Sequence, residues 1–402
     1  MADQTPNPAS SPAVDVLLIT HNFPRYRGDF AGQFIWRLAR ELTANRITVG
    51  VLAPHHREAA EREVIDGVNV CRFRYAPDEK ETVAYRGDLD RWSGSSLANA
   101  GATLRFLRAF TRAAARETDR LRPKVVHAHW WLPAGWAVRQ LTHKKGLKLV
   151  LTSHGTDIRI LDSRHWLRLF ARRAFRAAHQ ITTVSTWLQK ELCRMFPALA
   201  PKVSVIPMPV DPGPFLPGPP PRNEIPVVLS VARFTEQKRL FDLMEAALIL
   251  KSRGRALHFR LVGEGALKKE LHDHKFVKGL TDEITLVPTM PPQELAEEYR
   301  RADVVVLCSE NEGFGMTLVE AQLCGRPVIG TRSGGITDII EDGTSGVLVE
   351  PGCPRELADA IESLLTDRQK RERLAQAGHE SANSRFNPAA VAQQFIKLYA
   401  LR

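Results

Sequence analysis

Glu312 and Glu320 flank a glycine-rich turn in "SENEGFGMTLVEAQLCGRPVIG", residues 309 to 330. Ahead of the turn, ADVVVLC (302–308) is a short apolar run of the kind a buried parallel strand shows. Behind it, TLVEAQLC has helical spacing and is stopped at Gly325 and Pro327, before a new apolar run, PVIG. A strand, turn, helix and strand in this order put the turn at the carboxyl end of a parallel strand, where open α/β sheets bind their ligands. Glycines let backbone come close to a ligand, and the free N–H groups of a helix start suit an anion. A carboxylate is a poor phosphate partner but a good acceptor for sugar hydroxyls, as in the ribose contact of dinucleotide folds. The pattern therefore predicts a site for a phosphorylated sugar or nucleotide sugar.

Cations stand at a second strand end. In "VARFTEQKR", Arg233 and Lys238 follow an apolar run directly, and two cations beside an anion-seating helix start are what a diphosphate needs to neutralise a departing negative charge. "LVGEGALKKEL" adds Gly263 and Gly265 at a third strand end, so three turns of one domain converge on one ligand. In the first half of the chain, "LTSHGTDI" puts His154, Gly155 and Asp157 just past a strand. A lone histidine there is by default a satisfied structural residue. "HAHWW" (127–131) offers two histidines with no third ligand nearby, and a metal reading is rejected on that ground.

These residues need a scaffold, and the apolar periodicity supplies one. Residues 14–20, 47–53, 124–128 and 148–152 read as buried strands, with helical patterns between them such as Gln33 to Asn45. Strands alternating with helices predict a parallel sheet. The rhythm restarts after residues 207–226, where nine of twenty residues are proline and neither a helix nor a central strand can continue. VVLSVA (227–232), FRLVGEG (259–265), ITLVP (284–288), ADVVVLC and PVIG then give a second set of strands. The predicted organisation is a flexible tail over 1–13, an α/β domain over 14–206, a proline-rich linker over 207–226, a second α/β domain over 227–387, and a terminal helix over 388–402 with no docking site legible.

At 402 residues two domains are the natural expectation. No run of eighteen apolar residues appears, and MADQTPNPASSP has neither a basic nor an apolar leader region, so a cytoplasmic protein is expected. Five scattered cysteines without paired spacing read as free thiols. The net charge of +11 gathers in Arg105–Arg122 and Arg164–His179, both with helical spacing of apolar and basic residues. Two readings stay open for them: a face for anionic lipid or an acidic substrate, which would place the chain peripherally at the inner face of a membrane, or solvated helix faces whose arginine stems cover core edges. Nucleic acid is not an expected partner, because charge alone supports it.

On these motifs the chain resembles the family 4 retaining glycosyltransferases, of the architecture with two doubly wound Rossmann-like α/β domains facing a cleft, called GT-B. The resemblance runs from "LLITHNFPRYRG" to "GTSGVLVEPGCPRELADAI", and its most specific part is the paired glutamate signature Glu312 to Glu320. It implies that Glu312 contacts hydroxyls of the donor sugar, that Glu320 holds the ribose, that Arg233 and Lys238 meet the donor diphosphate, and that backbone amides of Gly313, Phe314, Gly315, Met316 and Thr317 meet phosphate or sugar oxygens. It likewise implies that His154 stands beside the transferred sugar, with Asp157 near it, and that Gly28 and Gly32 and the Gly263 turn approach the donor. The implied co-substrate is a nucleotide diphosphate sugar with no further cofactor and no metal, and the implied acceptor is a glycan, a lipid-linked glycan or a small molecule. "DLD" (88–90) is read as a solvated loop and not as the metal motif of the other glycosyltransferase architecture. The chain departs from the pattern where Gly28 and Gly32 are separated, where Met208 and Pro209 precede Val210, at Arg239 where glycine is usual, and at Thr289. The rival readings are an oxidoreductase, which lacks a full G-x-G-x-x-G, a nucleotide-sugar epimerase of the same architecture, and a non-catalytic nucleotide-sugar-binding subunit.

Overall fold

The structure, a computed structural model, describes residues 13–26, 29, 31–85 and 97–400. Two compact units divide the chain. The first runs to Val184 and takes in Leu188–Ile206 and the chain from Ala392; the second holds Ser185–Trp187 and Pro207–Val391.

In the first unit the strands are β1 (Val16–Ile19), β2 (Val49–Pro54), β3 (Arg62–Ile65), β4 (Val68–Phe73), β5 (Val125–His129), β6 (Lys148–Ser153), β7 (Gln180–Thr183) and β8 (Val203–Val205). They form one sheet in the order β3-β4-β2-β1-β5-β6-β7-β8, parallel except for the β3–β4 hairpin. All four residues of β1 are buried, which is what a central parallel strand covered on both faces requires. Each such side chain contributes about 1.5–3 kcal/mol on leaving water. The helix Gln33–Ala44 buries Ile35, Leu38, Ala39 and Leu42, the i, i+3, i+4, i+7 stripe of a helix lying on a sheet. The sequence rhythm marks β1, β2, β5 and β6. It passes over β3, where the REVI side chains are alternately exposed and half-buried, over β4, where Asn69 and Arg72 interrupt the apolar run, and over β7 and β8, which are short and carry hydroxyl side chains.

The second unit has β9 (Val227–Val231), β10 (His258–Val262), β11 (Ile284–Val287), β12 (Val304–Leu307), β13 (Val328–Thr331) and β14 (Val347–Val349). Their order is β11-β10-β9-β12-β13-β14, and every pair is parallel. Counted within the unit this is the doubly wound dinucleotide-fold order, whose direction reverses between its first and fourth strands. Here those are β9 and β12, and in the first unit the corresponding reversal lies between β1 and β5.

The proline-rich stretch has no helix or strand from 207 to 226, and it is pinned to the second unit. Arg326 Nη2 donates to the Gly218 carbonyl at 2.9 Å, Arg300 Nη1 to that of Leu216 at 3.1 Å, and buried Phe215 packs on the Tyr299 ring. The terminal helix Pro388–Tyr399 ends in the first unit. There Tyr399 and His127 join their Oη and Nδ1 atoms at 2.7 Å, His127 Nε2 meets Thr152 Oγ1 at 2.7 Å, and Lys148 Nζ donates to the Tyr399 carbonyl at 2.8 Å. With both nitrogens of His127 engaged in a buried chain, the histidine is a docking residue for that helix. No helix among the described residues is long and apolar enough to cross a membrane, and all five cysteines are free thiols.

Candidate functional site

In the second unit the strand reversal gathers the charges that the sequence singled out. Arg233 and Lys238 follow β9, while Glu312 and Glu320 follow β12, its neighbour in the sheet. Lys238 Nζ donates to Glu312 Oε2, and the two side chains are 13% and 14% exposed. Opposite charges at this spacing attract one another. Arg233 is exposed. The loops carrying the pair are tied backbone to backbone: Glu310 N donates to the Gln237 carbonyl at 2.8 Å, and Gln237 Nε2 donates to that of Asn311 at 3.1 Å.

The turn after Glu312 enters the helix Met316–Leu323, with Gly315 as its N-cap at φ 110°. Gly313, Phe314 and Gly315 are buried, and Met316 and Thr317 half-buried. Phe314 packs its ring on Phe386 at 5.4 Å, so only its backbone is left for a ligand, together with the N–H groups of the first helical turn. Glu320 is buried, and Tyr299 Oη donates to its Oε2 at 2.9 Å. Burial and the neighbouring Glu320 charge push the Tyr299 phenol well above its usual value, which keeps it protonated as the donor that orients this carboxylate.

Sequence reasoning missed one support. The turn Ser333–Gly335 after β13 presses on the Glu312 backbone: Ser333 Oγ accepts from Asn311 N at 2.9 Å, and Gly335 N donates to the Glu312 carbonyl at 2.7 Å. Gly334 has φ 64°, and a Cβ there would lie 2.3 Å from the Glu312 carbonyl oxygen, so only glycine fits. The adjacent glycines after a strand were the available signal. Gly263 serves similarly on the other side. A Cβ would come within 1.9 Å of the Ala232 carbonyl oxygen, which lets the β10 turn support the Arg233 loop. Arg239 adopts φ 47° at the N-cap of the helix Leu240–Ser252, which explains why glycine suits this place. Its guanidinium is held by Asp242 at 2.6 Å and Glu310 at 2.9 Å.

In the first unit, His154 follows β6 and joins a cluster of rings. His129 Nδ1 and His154 Nε2 share a hydrogen bond at 3.1 Å. Trp130 packs on His154 at 4.3 Å and on His21 at 4.5 Å, and Phe34 covers His154 at 4.9 Å. Trp130, which the sequence analysis left unassigned, sits at φ 66° directly after β5, a left-handed conformation that costs a bulky residue about 1–3 kcal/mol. Burial brings His129 down to about 3 and lowers His154 well below its usual value, with the neighbouring imidazoles adding to the shift. His154 is therefore neutral, and its Nδ1 has no hydrogen-bond partner within the described residues.

Asp157 was expected beside the sugar. It is fully buried, and its carboxylate accepts from the backbone N–H groups of His154 and Gly155, both at 3.1 Å, and of Trp131 at 3.2 Å. It shapes the turns that carry His154 and Trp130, with its carboxylate engaged by those backbone amides. Gly32 is the left-handed N-cap of the helix Gln33–Ala44. Gly28 and the Asp88–Asp90 stretch lie outside the described residues. Among the described residues one group has metal-type composition: His55, Asp78 and Glu81. Its oxygens are already engaged, since Glu81 takes His55 Nδ1 at 2.7 Å and Tyr75 N at 3.0 Å, and Asp78 takes Arg74.

Comparison with known proteins agrees with this geometry. Residues 31–213 match the family described as Glycosyltransferase Family 4, and residues 218–381 match that described as Glycosyl transferases group 1. The D-inositol 3-phosphate glycosyltransferase of Segniliparus rotundus is 30% identical over 317 residues, which is 72% of this chain and 70% of the relative. The fold is shared with sucrose-phosphate synthase from Thermosynechococcus elongatus, at TM-score 0.79 and 22% identity over 96% of this chain and 98% of that one. It is shared also with Anabaena HepE, solved in complex with UDP and glucose, at TM-score 0.72 and 19% identity over 97% and 100% of the two chains. The chain belongs to the family 4, group 1 glycosyltransferases and has their two-Rossmann GT-B architecture.

Proposed function

We propose that this glycosyltransferase moves a hexosyl unit from a nucleoside diphosphate sugar to an acceptor hydroxyl of a glycan, a lipid-linked glycan or a small molecule, with retention at the anomeric carbon. The observation that carries the reading is the Lys238–Glu312 pair at the strand reversal of the second unit, beside Arg233 and a glycine-capped helix start. Lys238 and Arg233 neutralise the diphosphate as it leaves, and Glu312 takes hydroxyls of the transferred sugar. Glu320, oriented by Tyr299, accepts from the ribose, and the amides of Gly313–Thr317 meet phosphate oxygens. Neutral His154 offers Nδ1 to a sugar hydroxyl.

Retaining hydrolases use a carboxylate nucleophile. Here the favoured scheme is displacement on one face: the bond from the anomeric carbon to the diphosphate oxygen breaks while the acceptor oxygen bonds to the same face, and the acceptor's proton passes to the departing diphosphate oxygen. Rate enhancement then comes from orientation and from charge stabilisation by the two cations, which take the part a metal or other cofactor would play. UDP sugars are the first donors to test, because HepE was solved with UDP and glucose.

Thermal unfolding with UDP, GDP, ADP and NAD tests the reading. A nucleotide at a hundred times its dissociation constant stabilises its target by about 2.7 kcal/mol. The expected result is a shift with one nucleoside diphosphate and its sugars that Lys238→Ala abolishes. A response to NAD alone overturns the proposal, and conversion of the donor sugar without any acceptor would make the chain an epimerase.

A further inference from the structure

The helix Leu167–Ala177 of the first unit presents a face that sugar transfer does not use. Trp166, Leu169 and Phe170 are 62%, 56% and 38% exposed, three large apolar side chains within one turn and a half of chain. Trp166 and Phe170 meet edge to face at 6.0 Å, and Trp136, from the helix Trp136–Lys145, lies 5.5 Å from Phe170. At helical spacing Arg173 and Arg176 project from the same side as Leu169, with Arg172 at its border. All three arginines are exposed, and none has a carboxylate partner among the described residues. Arg168, by contrast, pairs with Asp162 at 3.0 Å. The Arg139 guanidinium lies over the Trp136 ring at 3.3 Å, and burial together with the nearby Arg173 charge holds it below its usual value. Positive charge is thus concentrated on this face.

The other basic helix, Leu97–Leu121, differs. It exposes Arg105, Arg108, Arg112 and Arg116, but its one large exposed apolar side chain among the described residues is Leu104. An acidic protein or nucleic acid would satisfy arginines on either helix. A membrane surface, with both phosphates and hydrocarbon, also removes the Trp166, Leu169 and Phe170 side chains from water, with the rings at the headgroup boundary. We propose that the Trp166–Arg176 face docks this chain on an anionic lipid membrane, arginines on lipid phosphates and apolar side chains at the acyl boundary.

Co-sedimentation of the full chain with vesicles of phosphatidylcholine, alone or mixed equally with phosphatidylglycerol, tests this. Binding is expected only to the mixed vesicles and should weaken with salt. The triple variant Arg172→Gln, Arg173→Gln, Arg176→Gln should lose on the order of 100-fold in affinity. The double variant Trp166→Ser, Leu169→Ser should also bind more weakly, and Arg105→Gln with Arg108→Gln and Arg112→Gln should not. Failure to bind the mixed vesicles, an equal loss from the Leu97–Leu121 variant, or indifference to the Trp166 and Leu169 changes would each overturn the proposal. The last outcome would leave a purely electrostatic surface for an acidic macromolecule. All altered side chains are exposed, so circular dichroism should confirm unchanged folding, and donor binding measured in parallel keeps this test separate from that of sugar transfer.

Discussion

At the carboxyl ends of β1, β5 and β6 the first unit places His21, His129, Trp130 and His154, rings whose imidazoles are held neutral by burial. At the ends of β9 and β12 the second unit places Lys238 against Glu312, half-buried, with Arg233 exposed in the same loop as Lys238. Both sites sit where the strand order of an α/β sheet reverses, so topology alone does not choose between them. The difference lies in what each wall does to charge. Among the described residues these packed imidazoles have no carboxylate hydrogen-bonded to their ring nitrogens, and burial keeps them neutral, as groups suited to hydroxyls. Opposed charged side chains left partly in water form a wall that can meet a diphosphate.

Acid should break the comparison most strongly. Histidines whose folded values are depressed stabilise the fold above the ordinary value of 6.5, and that contribution is lost as pH falls from there toward the folded value, which is about 3 for His129. The slope is about 1.4 kcal/mol per pH unit per group, so His129 alone costs about 2 kcal/mol at pH 5. His21, His127 and His154 act in the same direction; Asp157, whose folded value is raised, opposes them. Hydrogen exchange at pH 7 and pH 5 should show β1, β5 and β6 losing protection before β9 and β12. Equal loss in both sheets would mean that the imidazole cluster does not set the difference.

The charged wall is tested by Lys238→Ala and Glu312→Ala. Each should slow transfer by roughly 10²–10³-fold, and because the two side chains bind one another their effects should fall short of multiplying in the double variant. Affinity for the free nucleotide should fall with Lys238→Ala and stay within a few-fold with Glu312→Ala. If both variants weaken the nucleotide equally, Glu312 belongs to nucleotide binding. Glu320→Ala should weaken the nucleotide too, and unchanged affinity removes the ribose assignment.

A smaller effect concerns the terminal helix. Tyr399→Phe leaves His127 Nδ1 buried without its partner and should cost about 1–3 kcal/mol in urea unfolding, with nucleotide affinity unchanged. Smallest is Arg239→Gly. Release from the left-handed conformation gains about 1 kcal/mol, and losing two half-exposed ion pairs costs a comparable amount. Stability should therefore stay within about 1 kcal/mol of the parent, and a loss beyond about 2 would show that the Arg239–Glu310 contact holds the loops together.

The amino-acid sequence by itself determined two α/β units, the strands β1, β2, β5, β6 and β9 to β13, and the residues Glu312, Glu320, Arg233 and Lys238 at strand ends. Those features are written locally: apolar runs of strand length, glycines at turns, and side chains within a few positions of them. It left β3, β4, β7, β8 and β14 unmarked: β3, β7 and β8 are short and carry polar or exposed residues, β14 is only three residues long, and in β4 an asparagine and an arginine interrupt the apolar run. Tertiary structure alone decided that Lys238 faces Glu312, 74 residues away, and that Tyr399 finds His127 across 272 residues. It also turned Asp157 inward onto three backbone amides, drew Trp130 and His129 around His154, and separated two basic helices that look alike in sequence into one with apolar side chains beside its arginines and one without. Contacts between distant segments depend on sheet order and packing, and neither leaves a trace in the spacing of neighbouring residues.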